Sequence, residues 1–181
     1  MTTSNPPWKD LRMDEAELQR KLDDIFDQGL LFHCFTDYQR DYEAVIYCTA
    51  DPRTGIQPAY LRYLFKFCVQ ARTETAIPPE IWTRSLDDRL ITYETRADHA
   101  DGYLWGVRWQ CLYPGASIVS DSATAADWAS KLGLDFHEVS LRMNGHTVNL
   151  VFSDLEVTEV GPGYSPLMVE TGGPDFKIPL P

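Results

Sequence analysis

Basic residues are scarce in this 181-residue chain: 16 Lys and Arg stand against 27 Asp and Glu, a formal net charge of −11. Nucleic-acid affinity comes largely from cations that neutralise phosphates and release counterions, so no nucleic-acid partner is expected. Cysteine is also sparse. Cys34, Cys48, Cys68 and Cys111 are spaced by 14, 20 and 43 residues, which is neither CxxC nor a zinc-ligand spacing. Each lies in an apolar stretch, as buried reduced thiols of a cytoplasmic protein do. No run approaches the roughly 20 apolar residues of a membrane span, and Leu30-Leu31-Phe32 falls far short. Met1 to Pro7 lacks the basic start and apolar run of a secretory signal. A cytoplasmic location without a membrane partner is therefore expected.

What is present is an ordinary globular composition, with 44% apolar and 24% charged residues, long enough to bury a core without a staple. The charge is uneven, because residues 49–72 hold four basic groups and one acidic group within an otherwise acidic chain. Residues 1–12 read as a flexible leader, 13–160 as one domain, and 161–181 as a tail in which nine of 21 residues are Gly or Pro. Contacts of that tail are expected through Tyr164, Leu167 and Met168.

Asp14 and Glu17 make a capping-box-like start, and Leu18, Leu22 and Ile25 share one helical face that Gly29 is expected to end. Glu15, Arg20, Asp23, Asp24 and Asp27 occupy the opposite face. Tyr42 to Thr49 reads as a strand and Asp51 to Gly55 as a turn. From Leu61 to Arg72 the chain alternates strictly, with Leu61, Tyr63, Phe65, Phe67, Val69 and Ala71 on one parity. Arg62, Lys66 and Arg72 fall on the other, so a half-exposed strand with a cationic wet face is expected. Pro78-Pro79 opens a second helix, with Trp82, Leu86, Leu90 and Tyr93 at helical spacing. Tyr103 to Tyr113 has strand parity. Ser122 caps a third helix that Gly133 follows.

Asn144-Gly145 marks a two-residue hairpin turn, so paired residue numbers should sum to 289. One face then holds Met143/His146, Leu141/Val148, Val139/Leu150 and His137/Phe152 as core. The other, with Arg142/Thr147, Ser140/Asn149 and Glu138/Val151, should be mostly wet. A last strand is expected near Leu155 to Val160. The order of elements has no βαβ rhythm. It predicts an α+β domain: a single curved, mainly antiparallel sheet with about three helices packed on it.

Catalytic motifs are absent: no GxSxG, SxxK or Gly-rich phosphate loop occurs. His137 and His146 lie at opposite ends of the hairpin, His33 and Cys34 should point to opposite faces, and His99 stands alone. No catalytic residue, metal or cofactor is therefore assigned. The candidate binding residues come from three places. Phe35-Thr36-Asp37-Tyr38-Gln39-Arg40-Asp41-Tyr42-Glu43 alternates aromatics with charges where a plain turn would suffice. It reads either as a recognition surface built on Asp37, Tyr38, Arg40 and Asp41, or as an Arg40–Asp ion-pair network. In Tyr103-Leu104-Trp105-Gly106-Val107-Arg108-Trp109, Gly106 suggests a bulge or close approach, and Trp105 and Trp109 line a pocket or fill the core. Arg62, Lys66, Arg72 and Arg108 make a cationic stripe if their strands are neighbours. Such a stripe binds an anion or offsets the acidic helices.

These runs, together with Asp51-Pro52-Arg53-Thr54-Gly55 and Gly102-Tyr103, resemble the YxiG-like family of small bacterial proteins, over roughly residues 13–160. The resemblance implies that the runs belong to one compact unit; it carries over no activity and no catalytic residues. The favoured function is a non-enzymatic interaction module, an immunity- or antitoxin-like acidic binder whose partner is a basic protein. The alternative is a small-molecule-binding protein or small enzyme with an aromatic-lined pocket. The oligomeric state is left open.

Overall fold

The computed structural model describes residues 13–49, 57–79 and 110–164. The leader, the 51–55 turn, the body of the expected second helix, Tyr103 to Trp109, and the tail from residue 165, with Leu167 and Met168, lie outside the described residues. The first helix, α1 (Glu15–Asp23), starts as its sequence requires, with the Glu17 amide donating to Asp14 Oδ1 at 2.6 Å. Leu18, Leu22 and Ile25 are buried. Gly29 does not end α1, because Asp24 caps it by donating back to the carbonyls of Arg20 and Leu22. Asp27, at φ +61, then turns the chain, and Gly29 opens a strand.

The strands are β1 (Gly29–Thr36), β2 (Asp41–Cys48), β3 (Ala59–Lys66), β4 (Gln70–Thr75), β5 (Gln110–Cys111), β6 (Gly115–Ile118), β7 (His137–Arg142), β8 (His146–Phe152) and β9 (Asp154–Val160). A second described helix, α2 (Ala123–Leu132), lies between β6 and β7. Every pairing is antiparallel, and the strands form two sheets, ordered β5-β1-β2-β3-β9 and β4-β8-β7-β6. The fold is thus mixed but strand-dominated. The expected single sheet is two; two of the expected helices lie among the described residues, and the body of the other lies outside them.

The reason for two sheets is local. The alternation of residues 61–72 predicts one strand, but the chain turns a corner at Phe67, whose φ is +50. Phe67 and Val69 leave the face shared by Tyr63 and Phe65, and Cys68 enters the core in their place. A matching corner at Ser153 lies alongside: the Ser153 amide donates to Lys66 O at 3.0 Å and the Val69 amide to Val151 O at 2.9 Å. The pair of chains bends as one ribbon from the first sheet into the second. The Cys68, Val69 and Ser153 amides find backbone acceptors on this bend and the Phe67 amide a side-chain one, as a buried corner demands.

The main core fills the space between the sheets and the buried face of α1, joining Leu18, Leu22 and Ile25 to Ala44, Ile46, Tyr63, Phe65, Val139, Leu141, Val148, Leu150 and Phe152. The β7–β8 register is the expected one, His137 opposite Phe152 through Arg142 opposite Thr147. Its second face is not simply wet. Val151 is fully buried there, packed with Ala125, Trp128, Ala129 and Phe136 beneath α2. That helix begins and ends as read: Ser122 Oγ accepts the Ala125 amide at 3.0 Å, and Gly133 takes φ +67 as its left-handed cap.

Phe152 and Phe65 meet edge to face, 4.9 Å between centroids, at the centre of this core. Phe152→Ala should cost about 3–5 kcal/mol of stability in urea denaturation, from lost burial plus cavity. Ser122→Ala, which removes only a cap, should cost about 1 kcal/mol.

Candidate functional site

The run from Phe35 to Glu43 is the β1–β2 hairpin. Asp37, Tyr38 and Gln39 all adopt left-handed backbone, with φ of 48, 61 and 65. Three consecutive non-glycine residues in that region cost roughly 1–2 kcal/mol each, so the surroundings must hold the turn. They do so at its base. The Arg40 amide donates to Asp37 O at 3.2 Å, and the Cys68 amide to Arg40 O at 2.9 Å. Arg40 forks onto Asp41 through Nε at 2.9 Å and Nη2 at 2.6 Å, and its guanidinium lies 5.2 Å from the centre of the Phe67 ring. Asp41 is buried, and its Oδ1 also accepts the Phe67 amide at 2.9 Å. Tyr38 stands at the apex with its side chain fully exposed.

The ion-pair interpretation of this run is realised within the hairpin. Arg40 and Asp41 form a supporting ion pair, while Tyr38 and Asp37 project above it. Burial pushes the Asp41 carboxyl up. Its hydrogen bonds from Arg40 and Phe67, and the charges of Arg40 and Lys66, outweigh that, so it titrates below the ordinary 3.8.

The outer face of the five-stranded sheet holds the other described candidates. Glu43 lies opposite Leu64, and Arg62 opposite Val45. Glu43 is completely buried; its Oε2 accepts Arg62 Nε at 2.7 Å and the Tyr164 hydroxyl at 3.2 Å. Its Oε1 is buried with no hydrogen-bond partner among the described residues. Such an orphan costs about 1–3 kcal/mol. Lys66 pairs with Glu156 at 2.5 Å.

The cationic stripe is not found in the form expected. Arg62 and Lys66 are neutralised by carboxylates of neighbouring strands rather than by helices. Arg72 belongs to the other sheet, beyond the Phe67 corner, and pairs with Glu74 at 2.7 Å. Trp105, Arg108 and Trp109 lie outside the described residues. Glu43 and Tyr164 were not singled out from the sequence as site residues. The available signal for Glu43 was a charge within the otherwise apolar Tyr42–Ile46 run, which is buried on both faces.

The histidines and thiols are separated. His33 faces the core side of β1 and shares a 2.5 Å hydrogen bond with Tyr42, whereas Cys34 faces the outer side opposite Glu43. Burial raises all four thiols above their ordinary value, Cys68 to about 12 and Cys111 to about 11. Only Cys68 is fully buried; the other three are half-buried. Thiolate chemistry near neutral pH is disfavoured at each of them. No group of three or more His, Cys, Asp or Glu among the described residues could hold a metal ion. No described helix is long and apolar enough to cross a membrane.

A second acidic feature lies beside α2. A hollow of about 260 Å³ is lined by Glu15, Asp121, Asp135 and Glu138, with Phe136 and Ala125 as apolar wall. Ser122 Oγ donates to Glu138 within it.

The family model for YxiG-like protein matches residues 14–170, which spans both sheets, the hairpin and Tyr164. The chain belongs to the YxiG-like family. Of the runs that carry the resemblance, the first is the β1–β2 hairpin of this YxiG-like protein, and the other two lie outside the described residues. No curated protein matches the chain.

Asp41→Ala should cost about 2 kcal/mol by leaving the Phe67 amide unpaired. Arg40→Ala should cost less than about 1 kcal/mol, because that side chain is more than half exposed. With its folded pKa lowered, Asp41 contributes stability that is present above 3.8 and lost as the pH falls through the folded value. Asp41→Asn removes that acid-dependent component from the denaturation profile.

His33 adds an earlier acid limb. Burial and the neighbouring charge of His146 lower its pKa below 6.5, so the unfolded chain protonates first. Stability is retained above 6.5 and lost as the pH falls towards and through the lowered value. His33→Gln should flatten this limb, measured as urea midpoints between pH 7 and pH 5.

Proposed function

We propose that this YxiG-like protein is a non-enzymatic interaction module of the cytoplasm that engages a basic protein partner through the β1–β2 hairpin tip. The observation that carries the proposal is Tyr38, fully exposed at the apex of a turn whose three left-handed residues are held by Arg40, Asp41 and the Phe67 corner. Backbone strain of this kind persists only where its surroundings over-determine it, and it clusters at sites of recognition. Tyrosine on a rigid support is an effective contact residue, because it offers a large amphipathic surface and loses little conformational freedom on binding.

The charge distribution supports a basic partner. The net charge is −11, and the carboxylates of Glu15, Asp121, Asp135 and Glu138 surround an open hollow on the same molecule. Opposite charge would steer a cationic protein towards this one and accelerate encounter.

The test is capture from the native lysate on immobilised wild-type and Tyr38→Ala protein, quantified by mass spectrometry at two salt concentrations. A stoichiometric basic partner should be retained by wild type and fall by about tenfold or more with Tyr38→Ala, and it should bind more weakly at high salt. Equal capture by both proteins, or no stoichiometric partner, rejects the proposal.

A further inference from the structure

The outer face of the five-stranded sheet carries a second, separate feature that the hairpin tip does not use. Glu43 is fully buried, yet Oε1 lacks a donor among the described residues, while Oε2 is shared by Arg62 Nε and the Tyr164 hydroxyl. Tyr164 reaches this point from just beyond the end of β9. The turn Gly161 to Tyr164 closes through the Tyr164 amide on Gly161 O at 3.1 Å, with Gly163 at φ +84. A Cβ added at Gly161 or Gly163 would meet nothing within 4 Å, so the turn touches little else there.

The same turn walls a hollow of about 370 Å³, lined by Pro58, Ala59, Tyr60, Val160, Gly161 and Pro162, with Glu159 as its one charged wall residue, which weighs against an anionic ligand. Tyr60 and Arg62 are two residues apart on β3 and share the outer face, which puts them about 7 Å apart. The hollow and the Glu43–Arg62 pair are therefore adjacent, with Tyr164 standing over the pair. Hollows of this volume suit small organic ligands.

The chemistry of the pair selects the ligand class. A carboxylate and a guanidinium side by side are neutral together, so neither a cation nor an anion is favoured without unbalancing one of them. The free Oε1 calls for an N–H donor, and Arg62 offers further donors to an acceptor. The Tyr164 hydroxyl meets the pair at Oε2, to which it donates, and leaves Oε1 unanswered. A carboxamide matches the pair more fully, because it carries N–H donors and a carbonyl acceptor on one plane.

We propose that Glu43, Arg62 and the hollow beside Tyr60 form a binding site for an aromatic carboxamide, occluded in this conformation by Tyr164. The carboxamide N–H donates to Glu43 Oε1, its carbonyl accepts from Arg62, and its ring lies against Tyr60 and Pro162. Tyr164, anchored on Oε2, covers the way to Oε1 and Arg62, so the apparent affinity is the intrinsic one reduced by the fraction of molecules with Tyr164 displaced.

The probes are benzamide, benzoate and benzylamine, which share a ring and differ in headgroup. Each is titrated into the full-length wild-type, Tyr164→Ala, Tyr164→Phe and Tyr164→Ala/Glu43→Gln proteins, followed by NMR chemical shifts. Tyr164→Ala should bind benzamide about tenfold more tightly than wild type, and Tyr164→Phe, which deletes only the hydroxyl, should show part of the gain. Benzoate and benzylamine should bind more weakly than benzamide, and adding Glu43→Gln should abolish the gain. Tyr38→Ala should leave every titration unchanged, which separates this site from the hairpin tip. The proposal is overturned if Tyr164→Ala and Tyr164→Phe bind benzamide no better than wild type. It is equally overturned if the three probes bind alike, or if the gain survives Glu43→Gln. Should Tyr164→Ala fail to fold by circular dichroism, Tyr164→Phe and the comparison of headgroups decide.

Discussion

One carboxylate holds together two parts of the molecule that are distant in sequence. Asp41 accepts the amide of Phe67 and both arms of the Arg40 fork, so the base of the β1–β2 hairpin and the corner between the sheets share a single buried acceptor. The hairpin needs this support because its three left-handed residues are intrinsically unfavourable. The corner needs it because a turning chain loses its ladder partners, and buried amides must find others. The Arg40 guanidinium over the Phe67 ring adds a cation–π contact to the same junction. Removal of Asp41 therefore disturbs hairpin tip and sheet geometry together, whereas removal of Arg40 leaves the hydrogen bond from the Phe67 amide intact.

Electrostatics follow the same pattern of local satisfaction. The basic strand segment does not face solvent as a free cationic surface; Arg62 answers Glu43 and Lys66 answers Glu156 across neighbouring strands. Paired charges of this kind fix register and position more than they add net stability, especially where exposed. Beside α2, by contrast, four carboxylates, those of Glu15, Asp121, Asp135 and Glu138, line one hollow. Tyr38 and the Glu43–Arg62 pair lie on one hairpin and its neighbour, yet they present opposite kinds of chemistry: an exposed anchor and a sealed polar pair.

Local signals in the sequence were reliable wherever the physics is local. The Asp14 and Ser122 caps, the Gly133 stop and the Asn144-Gly145 register depend on residues three or four apart, and each is realised. Gly29 does not stop the first helix, because Asp24 ends it earlier by bonding back along it and the Asp27 amide turns away to Leu112 O. The alternation of residues 61–72 was misread for a different reason. A period of two records which residues avoid water within one sheet, and the corner at Phe67 breaks it, burying Cys68 and sending the chain into another sheet. Arg62 and Arg72 share a parity in sequence and sit on different sheets in space.

The candidate site divides along the same line. Residues 35–43 stand out in the residue order as an unusual run, because aromatics alternating with charges exceed what a turn requires, but that the run is a hairpin follows only from the pairing of β1 with β2. The sequence by itself determined the caps, the β7–β8 pairing and the amphipathic face of α1, all set by short-range geometry. Only the tertiary structure decided that Asp41 belongs to the Phe67 corner, that Glu43 is buried with one oxygen unanswered, and that Tyr164 returns to cover it. Those relations join residues 26 and 121 positions apart. Contacts at such separation exist only once the sheets have packed, since no local preference can encode which distant donor a buried carboxylate will meet.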